Sequence, residues 1–429
     1  MNAAPATPAP RSGTAETEPR VLRLRAFGSP DQLAGIEPAL TAAFARWAPI
    51  WQSPATVDIR YFRPRPELHG HVLILGECET DSAPVAVAGC DLDPEAAANS
   101  CVGELVERQC SRAWANPGSR QAKSADFEDG SAFAITDYLG TPVFPDRWPY
   151  PRYTADRLLT WTRGRRYPDG DTIWVPEALV GLRPSPAAER LTEVTTVGLA
   201  SGATARQAAA HGLYELLERA TVMGYWQTGT PMELLTGWAL ADHAEFLAEE
   251  RALGWHTQLL QARSPVGTGV VVALSRHLEM PAFGVGLSAH PLPAERIGHA
   301  LAEMVQIRLL ASLHRGRSTD TLDSFEDHVI YYCHPDRFSL LDTLVGPPTD
   351  EVIDRRGEND MQVVARLVDA GSQVAAVELA GAGGEGPAVA RVLATRLPHM
   401  EVREACARLP LPGQATIGRP GPYRPHPYP

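Results

Sequence analysis

The chain has 429 residues and a formal charge of −12, with 44% hydrophobic and 21% charged residues. This is the composition of a globular protein long enough for two or three domains. An acidic chain without a basic tract lacks the cations that neutralise nucleic-acid phosphates, and no apolar run reaches the roughly 18 residues of a membrane helix. The six cysteines (Cys78, Cys90, Cys101, Cys110, Cys333 and Cys406) include no CxxC pair. A zinc site is therefore not indicated, and reduced, mostly buried thiols of a cytoplasmic protein are expected.

Residues 1–20 lack the apolar segment of a secretion signal, and their Ala/Pro/Thr bias predicts a disordered tail. From Val21 the pattern becomes ordered. VLRLRAF alternates like a strand, PDQLAGIEPALTAAFARWAPIW has apolar residues at helical spacing, and HVLILGE and PVAVAG are short strand-like runs. A small α/β region over 21–80 is expected. DPEAAANSCVGELVERQCSRAW then predicts a helix capped by Asp93, with Pro94 in the first turn. Residues 115–185 read as loops and short strands, among them TIWVPEALVGL.

TEVTTVGLASG predicts a strand running into a glycine turn, with Thr204 as cap of the helix ARQAAAHGLYELLERATVMGYWQ. HTQLLQA, GVVVALSRH and PAFGVGLSAH resemble sheet strands, and PAERIGHALAEMVQIRLLASLHRG is a third strong helix. Residues 317–350 read as loop. MQVVARLVDAG, SQVAAVELA, VARVLATRLP and EVREACARL predict helix, strand, strand and helix. The ending RPGPYRPHPYP is expected to be extended, because proline fixes φ and has no N–H. The alternation of elements favours layered α+β (α/β) architecture, and no GxxxxGK[ST] loop is present.

One phrase recurs. GELVER carries Glu104, Glu107 and Arg108; YELLER carries Glu215, Glu218 and Arg219. Each copy follows a short-residue turn, so an internal strand–helix duplication is expected. Glutamates three apart share a helix face. Ser100 precedes Glu104 by one turn, and the third helix adds Glu303, Gln306 and Arg308. A single such word is usually a solvated stripe. Converging carboxylates repel unless cations neutralise them, and Mg²⁺ binds through a few carboxylates plus phosphate oxygens, which arginine also contacts. The pattern thus points to a Mg–nucleotide site that is neither Rossmann nor P-loop.

The words SCVGELVER, TTVGLASGATARQAAAHGLYELLER and HALAEMVQIR, in that order and with a terminal PHPYP, resemble the YcaO superfamily from about residue 81 to 429. The resemblance implies a YcaO-type fold over 81–429 and an ATP- and Mg²⁺-dependent enzyme acting on peptide amides. It implies Ser100, Arg219 and Gln306 at the nucleotide, with His299 where an arginine is usual, and Glu104, Glu107, Glu215, Glu218 and Glu303 at the metal; Arg308 is a further nucleotide candidate from the residue pattern of the third helix. The Pro425, Pro427, Pro429 ending is similar to that of azoline-forming cyclodehydratases and implies a catalytic terminal carboxylate on Pro429. Such an enzyme converts Cys, Ser or Thr of a ribosomally made precursor peptide to thiazoline or (methyl)oxazoline. The stretch before residue 80 is too short for a full leader-binding domain, so a separate E1-like partner is implied, with a flavin-dependent dehydrogenase as a further neighbour and a homodimer as the expected assembly. The chain departs from the pattern at Cys90, Asp91, Thr196, Val197, Ala203, Gln207 and His299. These departures leave a non-catalytic partner subunit, and a thioamide- or amidine-forming relative, as alternatives.

Overall fold

The computed structural model describes residues 23–26, 35–51, 57–62, 69–78, 84–280, 282–313, 317, 319, 321–381, 385–411 and 425–428. The expected N-terminal tail and Pro429 lie outside the described residues.

The chain builds three sheets in sequence. Strand β1 (Arg23–Ala26), helix α1 (Glu37–Trp47), β2 (Val57–Phe62), β3 (Val72–Cys78), β4 (Val85–Asp91) and helix α2 (Pro94–Ala113) form the first unit, with sheet order β1-β2-β3-β4. β1 runs parallel to β2 and the remaining pairs are antiparallel. β2 buries Val57, Ile59 and Tyr61, every second residue, against Leu40 and Trp47 of α1 and Cys101 and Leu105 of α2. This sheet runs to Asp91, so it straddles the division expected at residue 80.

The second sheet starts with β5 (Arg120–Ala122), followed by the short helix α3 (Ile135–Leu139), β6 (Leu159–Tyr167), β7 (Thr172–Pro176), β8 (Leu199–Gly202) and helix α4 (Ala205–Thr228). The chain then leaves to make the third sheet: β9 (Met232–Leu235), α5 (Ala244–Ala252), β10 (Trp255–Arg263), β11 (Gly269–His277), β12 (Phe283–Ala289), α6 (Pro293–Leu313), α7 (Phe325–Tyr332), α8 (Phe338–Asp342) and β13 (Val345–Thr349). Its order is β12-β11-β10-β9-β13. After α9 (Asp360–Asp369), β14 (Val374–Gly381) and β15 (Ala388–Ala394) return to the second sheet, giving β5-β6-β14-β15-β8 with β7 beside β6.

Local chemistry accounts for the main helices. Asp93 accepts from the Glu95 N–H with Pro94 in the first turn of α2, and Thr204 accepts from the Gln207 N–H of α4. Gly229, at φ +69, stops α4 in the left-handed conformation. β11 is buried on both faces: Val270, Val272 and Leu274 face α4 and α7, while Val271 and Ala273 face α6. β12 alternates differently, with Phe283, Val285 and Leu287 on the first face and Gly284 and Gly286 against the backbone of α6.

Two expectations are corrected. Residues 317–350, read as loop, contain α7, α8 and β13; Ser324 and Asp327 form a reciprocal capping box that starts α7. EVREACARL is not a helix beyond a single turn at Glu404–Cys406. Its arginines are spent elsewhere: Arg403 pairs with Glu193, and Arg408 with Glu401 and Thr192.

The sequence duplication is a triplication in space. β4–α2, β8–α4 and β12–α6 are each an edge strand of a different sheet followed by a long helix. Each helix packs on its own strand and on the next: α2 on β8, α4 on β12, and α6 on β4, which closes a ring. Glu104, Glu215 and Glu303 are each the eleventh residue of their helix. Each turns back to accept a backbone N–H of, or beside, its own edge strand: Ala88 at 3.0 Å, Gly198 at 3.1 Å and Leu287 at 2.5 Å. Glu218, three residues after Glu215, accepts from Ala289 of the next strand at 3.0 Å.

Strand and helix touch at glycine in every unit. A Cβ on Gly89 would collide with backbone of Ala97 and Cys101, on Gly202 with Gln207 and Ala208, and on Gly286 with Ala300 and Met304. Backbone cannot swing aside as a side chain can. Gly286→Ala should therefore destabilise the fold by about 3 kcal/mol, at the upper end of overpacking costs, in urea-induced unfolding.

Arg308 of α6 lies away from the ring centre. Its guanidinium grips Glu250 through both Nη atoms, donates to Ser275 Oγ at 2.6 Å and stacks over Trp255 at 4.0 Å. His69 contacts the same carboxylate. Burial opposes ionisation of Glu250, but the hydrogen bonds from His69 and Arg308 outweigh it and lower the carboxyl to about 2. The folded-state value lies below the unfolded one. The stabilisation is therefore complete above pH ~4.5 and lost as the pH falls towards 2, by about 3 kcal/mol. Glu250→Gln should be less stable than the parent by about 3 kcal/mol at neutral pH. Its unfolding free energy should also be flatter than the parent's between pH ~4.5 and 2.

Candidate functional site

At the centre of the ring lies a cavity of about 800 Å³. It falls in the range of small-molecule sites. The helix faces of all three units line it, with Ser100, Glu104 and Glu107 from α2, Glu215 and Arg219 from α4, and Glu303 and Gln306 from α6. Three elements far apart in sequence thus present the same helix position to one space. Glu218 sits just behind the wall, buried against Arg219.

Arg219 organises the acidic floor. Its Nη2 meets Glu303 at 3.2 Å and its Nε meets Glu218 at 3.1 Å. Burial disfavours its charge, but Glu303, Glu218 and Glu215 together hold it cationic more firmly than usual. In α2 the corresponding Arg108 pairs with Glu104 and donates to the Ala86 carbonyl at 2.6 Å.

The floor as a whole is not neutralised by Arg219 and Arg108. Burial, and then Glu215 and Glu104, push the Glu107 carboxyl well above the ordinary range. Burial also lifts Glu215 to about 7, against the pull of Arg219 and Arg391. Glu218 is raised by burial and by Glu303 and Glu215, although Arg219 opposes. Glu107 has no hydrogen bond or ion pair among the described residues. Such a floor either keeps protons or takes up cations. Among the described residues no three His, Cys, Asp or Glu side chains form a ready-made metal cage. Mg²⁺ keeps waters and shares its coordination with phosphate oxygens. The carboxylate oxygens are hard donors, and with Arg219 beside them they fit a metal–nucleotide.

Two predicted residues are not brought to the cavity. Arg308 is held by Glu250, as described, because its helix position turns it away from the cavity. His299 is on the surface, 57% exposed, 3.8 Å from Glu295 one turn earlier in α6. Neither lies where it would meet a phosphate bound in the cavity.

Several wall residues escaped the sequence reading. His211 stands one turn before Glu215 and contacts the Ser201 carbonyl at 3.0 Å. Arg46 and Trp47 come from α1, and Phe325 and Met400 from the C-terminal half. Helical spacing from Glu215 would have found His211; the others carry no local signal. Arg391, fully buried on β15, donates to the carbonyls of Val180, Thr195 and Val197.

The described part of the chain end is buried beside this wall. Tyr332 donates to the Pro425 carbonyl at 2.7 Å, the His426 ring meets the Glu401 carbonyl at 2.9 Å, and Tyr428 packs near Trp226. The rings of His426 and Phe325 are 6.0 Å apart. Burial, then His328, hold His426 neutral.

Comparison with solved structures finds the same fold. A heterocyclase in complex with substrate and cofactor superposes with a TM-score of 0.69 at 16% identity, over 85% of this chain and 53% of that one. This chain thus spans about half the length of that protein. YcaO from Methanopyrus kandleri, bound with AMPPCP and Mg²⁺, superposes at 0.62 with 18% identity, over 91% and 96% of the two chains. A chain of the E. coli microcin synthetase McbBCD complex gives 0.62 at 15% identity, over 84% and 98%. No curated protein matches by sequence. The profile of the ATP- and Mg²⁺-binding YcaO cyclodehydratases matches residues 88–397, a span that holds the three long helices around the cavity, and the chain belongs to that family.

Proposed function

We propose that this protein is the ATP-dependent cyclodehydratase subunit that forms thiazoline or (methyl)oxazoline rings in a ribosomally made precursor peptide. The observation that carries this reading is the convergence of four glutamates and Arg219, from three helices, on one deep cavity, with Glu218 paired to Arg219 just behind its wall. In the reaction a Cys, Ser or Thr side chain adds to the preceding amide carbon. The amide oxygen takes the γ-phosphoryl group of ATP and leaves as inorganic phosphate, so one peptide and one ATP give one azoline, ADP and phosphate. Mg²⁺ and ATP supply the phosphoryl group and the charge that makes its transfer feasible.

This chain's residues divide the remaining work. Glu104, Glu107, Glu215, Glu218 and Glu303 would supply the carboxylates for Mg²⁺, Arg219 would meet phosphoryl oxygen, and Ser100 and Gln306 would orient the nucleotide. Pro425–Tyr428 are anchored with His426 beside Phe325, a wall residue; on that ground the Pro429 carboxylate is proposed as the base near the peptide nucleophile. A precursor peptide and a separate E1-like partner that presents it are the proposed macromolecular partners, with a flavin-dependent dehydrogenase acting on the product and a homodimer as the assembly. Val197 and Ala203, and the remote His299, favour one competing reading: a subunit that binds peptide without turning over ATP.

Calorimetry with ATP and Mg²⁺ separates the two. The chain should release heat on titration, and Glu107→Gln or Glu215→Gln should weaken binding at least about ten-fold, the loss of one charged contact. Absence of binding, alone and with the E1-like partner, would favour the non-catalytic subunit. With peptide present, mass spectrometry should show loss of one water per ring; oxygen-for-sulfur exchange would instead identify a thioamide-forming enzyme.

A further inference from the structure

The loop from Thr195 to Gly198, between the second sheet and the cavity, has every carbonyl engaged. Arg391 Nη2 donates to Thr195 O at 2.9 Å and Nη1 to Val197 O at 2.6 Å. The Leu199 N–H donates to Thr196 O at 2.8 Å, and the Val392 N–H to Gly198 O at 2.7 Å. Gly198 adopts φ +80, and a Cβ there would strike the Val392 carbonyl, so the loop lies tight against β15.

Peptide groups in this loop are trans, and in a trans group the N–H points opposite to the carbonyl. The carbonyls of Thr195 and Val197 converge on one guanidinium, so the N–H groups of Thr196 and Gly198 both point away from it. The direction is fixed by the second of them: Gly198 donates to Glu215, a cavity carboxylate, at 3.1 Å. The Thr196 N–H has no partner among the described residues, and Thr196 lines the cavity. Arg391 is 2% exposed and spends its third direction on the Val180 carbonyl at 3.0 Å. Among the described residues it has no carboxylate at ion-pair distance. A cation buried without a counter-ion is costly, and here it binds backbone alone.

We infer that Arg391 is a positioning residue that turns the Thr195 and Val197 carbonyls inward and thereby presents the Thr196 N–H to the cavity as a contact for a phosphoryl oxygen. A fixed backbone donor at that place needs no reorganisation when the anion arrives. Phosphate recognition is thus shared between Arg219 and a backbone amide, at a loop whose Val197 side chain carries no donor. The inference rests on the proposed nucleotide site.

The test is an amide titration of the full chain labelled with ¹⁵N-threonine, the Thr196 resonance being assigned by its absence in Thr196→Ser. Addition of ATP with Mg²⁺ should move the Thr196 amide and leave that of Thr204, the helix cap, in place. Arg391→Lys, which cannot fork to three carbonyls, should weaken ATP binding about ten-fold and abolish the Thr196 response while thermal unfolding remains cooperative. A purely structural arginine would lower the unfolding temperature without separating these signals. A Thr196 amide that stays still while calorimetry records ATP binding overturns the inference and leaves the nucleotide site standing. A calorimetric blank, both alone and with the E1-like partner, removes both. Should Arg391→Lys fail to fold, the wild-type titration decides alone.

Discussion

An edge strand has a row of backbone N–H groups that no neighbouring strand satisfies. In this protein three such strands, β4, β8 and β12, meet around one space, and glutamates from the following helices bind their amides. Buried backbone donors must be paired, so each glutamate is held in place by the fold itself. The glycines of the strands let the helices come close enough for these bonds to form. Structure and site are therefore one arrangement: the bonds that seal the sheet edges also fix the carboxylates that face the cavity.

That arrangement is electrostatically incomplete. Each capping carboxylate spends one oxygen on an amide and turns the other to an arginine or to the cavity. Arg219 serves Glu218 and Glu303, and Arg108 serves Glu104, but Glu107 has no such partner and Glu215 is raised to about 7. A cavity with more buried acid than base holds protons until a cation displaces them. Membership of an ATP- and Mg²⁺-binding family gives that deficit a chemical meaning.

The three units are not equivalent. The first two place Glu and Arg at the fourteenth and fifteenth helix positions; the third has Gln306 and Ile307. Its arginine comes one residue later, as Arg308, and one residue in a helix is a turn of about 100°. That rotation carries the guanidinium out of the cavity and into the Glu250 pair, where it ties α6 to α5 and the third sheet. The ring thus has a polar side, at α2 and α4, and a side where Ile307 reaches the wall.

Much of this was legible in the sequence. Helical spacing placed Glu104 with Glu107 and Glu215 with Glu218 on shared faces, and Asp93 and Thr204 marked the helix starts, because these are interactions within one or two turns. The recurrence of one phrase announced the duplication. Only the tertiary structure decided the rest. The third unit has no glutamate–arginine word to match, so its equivalence became visible only when α6 closed the ring. Arg308 looked like a phosphate ligand by neighbourhood, yet a one-residue phase shift and a distant Glu250 gave it another partner. Arg391 sits in an apolar strand whose pattern predicts burial but not the carbonyls of Val180, Thr195 and Val197 that it binds. Sequence fixes what is near along the chain; which sheet edge a helix meets depends on long-range packing, and there the site was made.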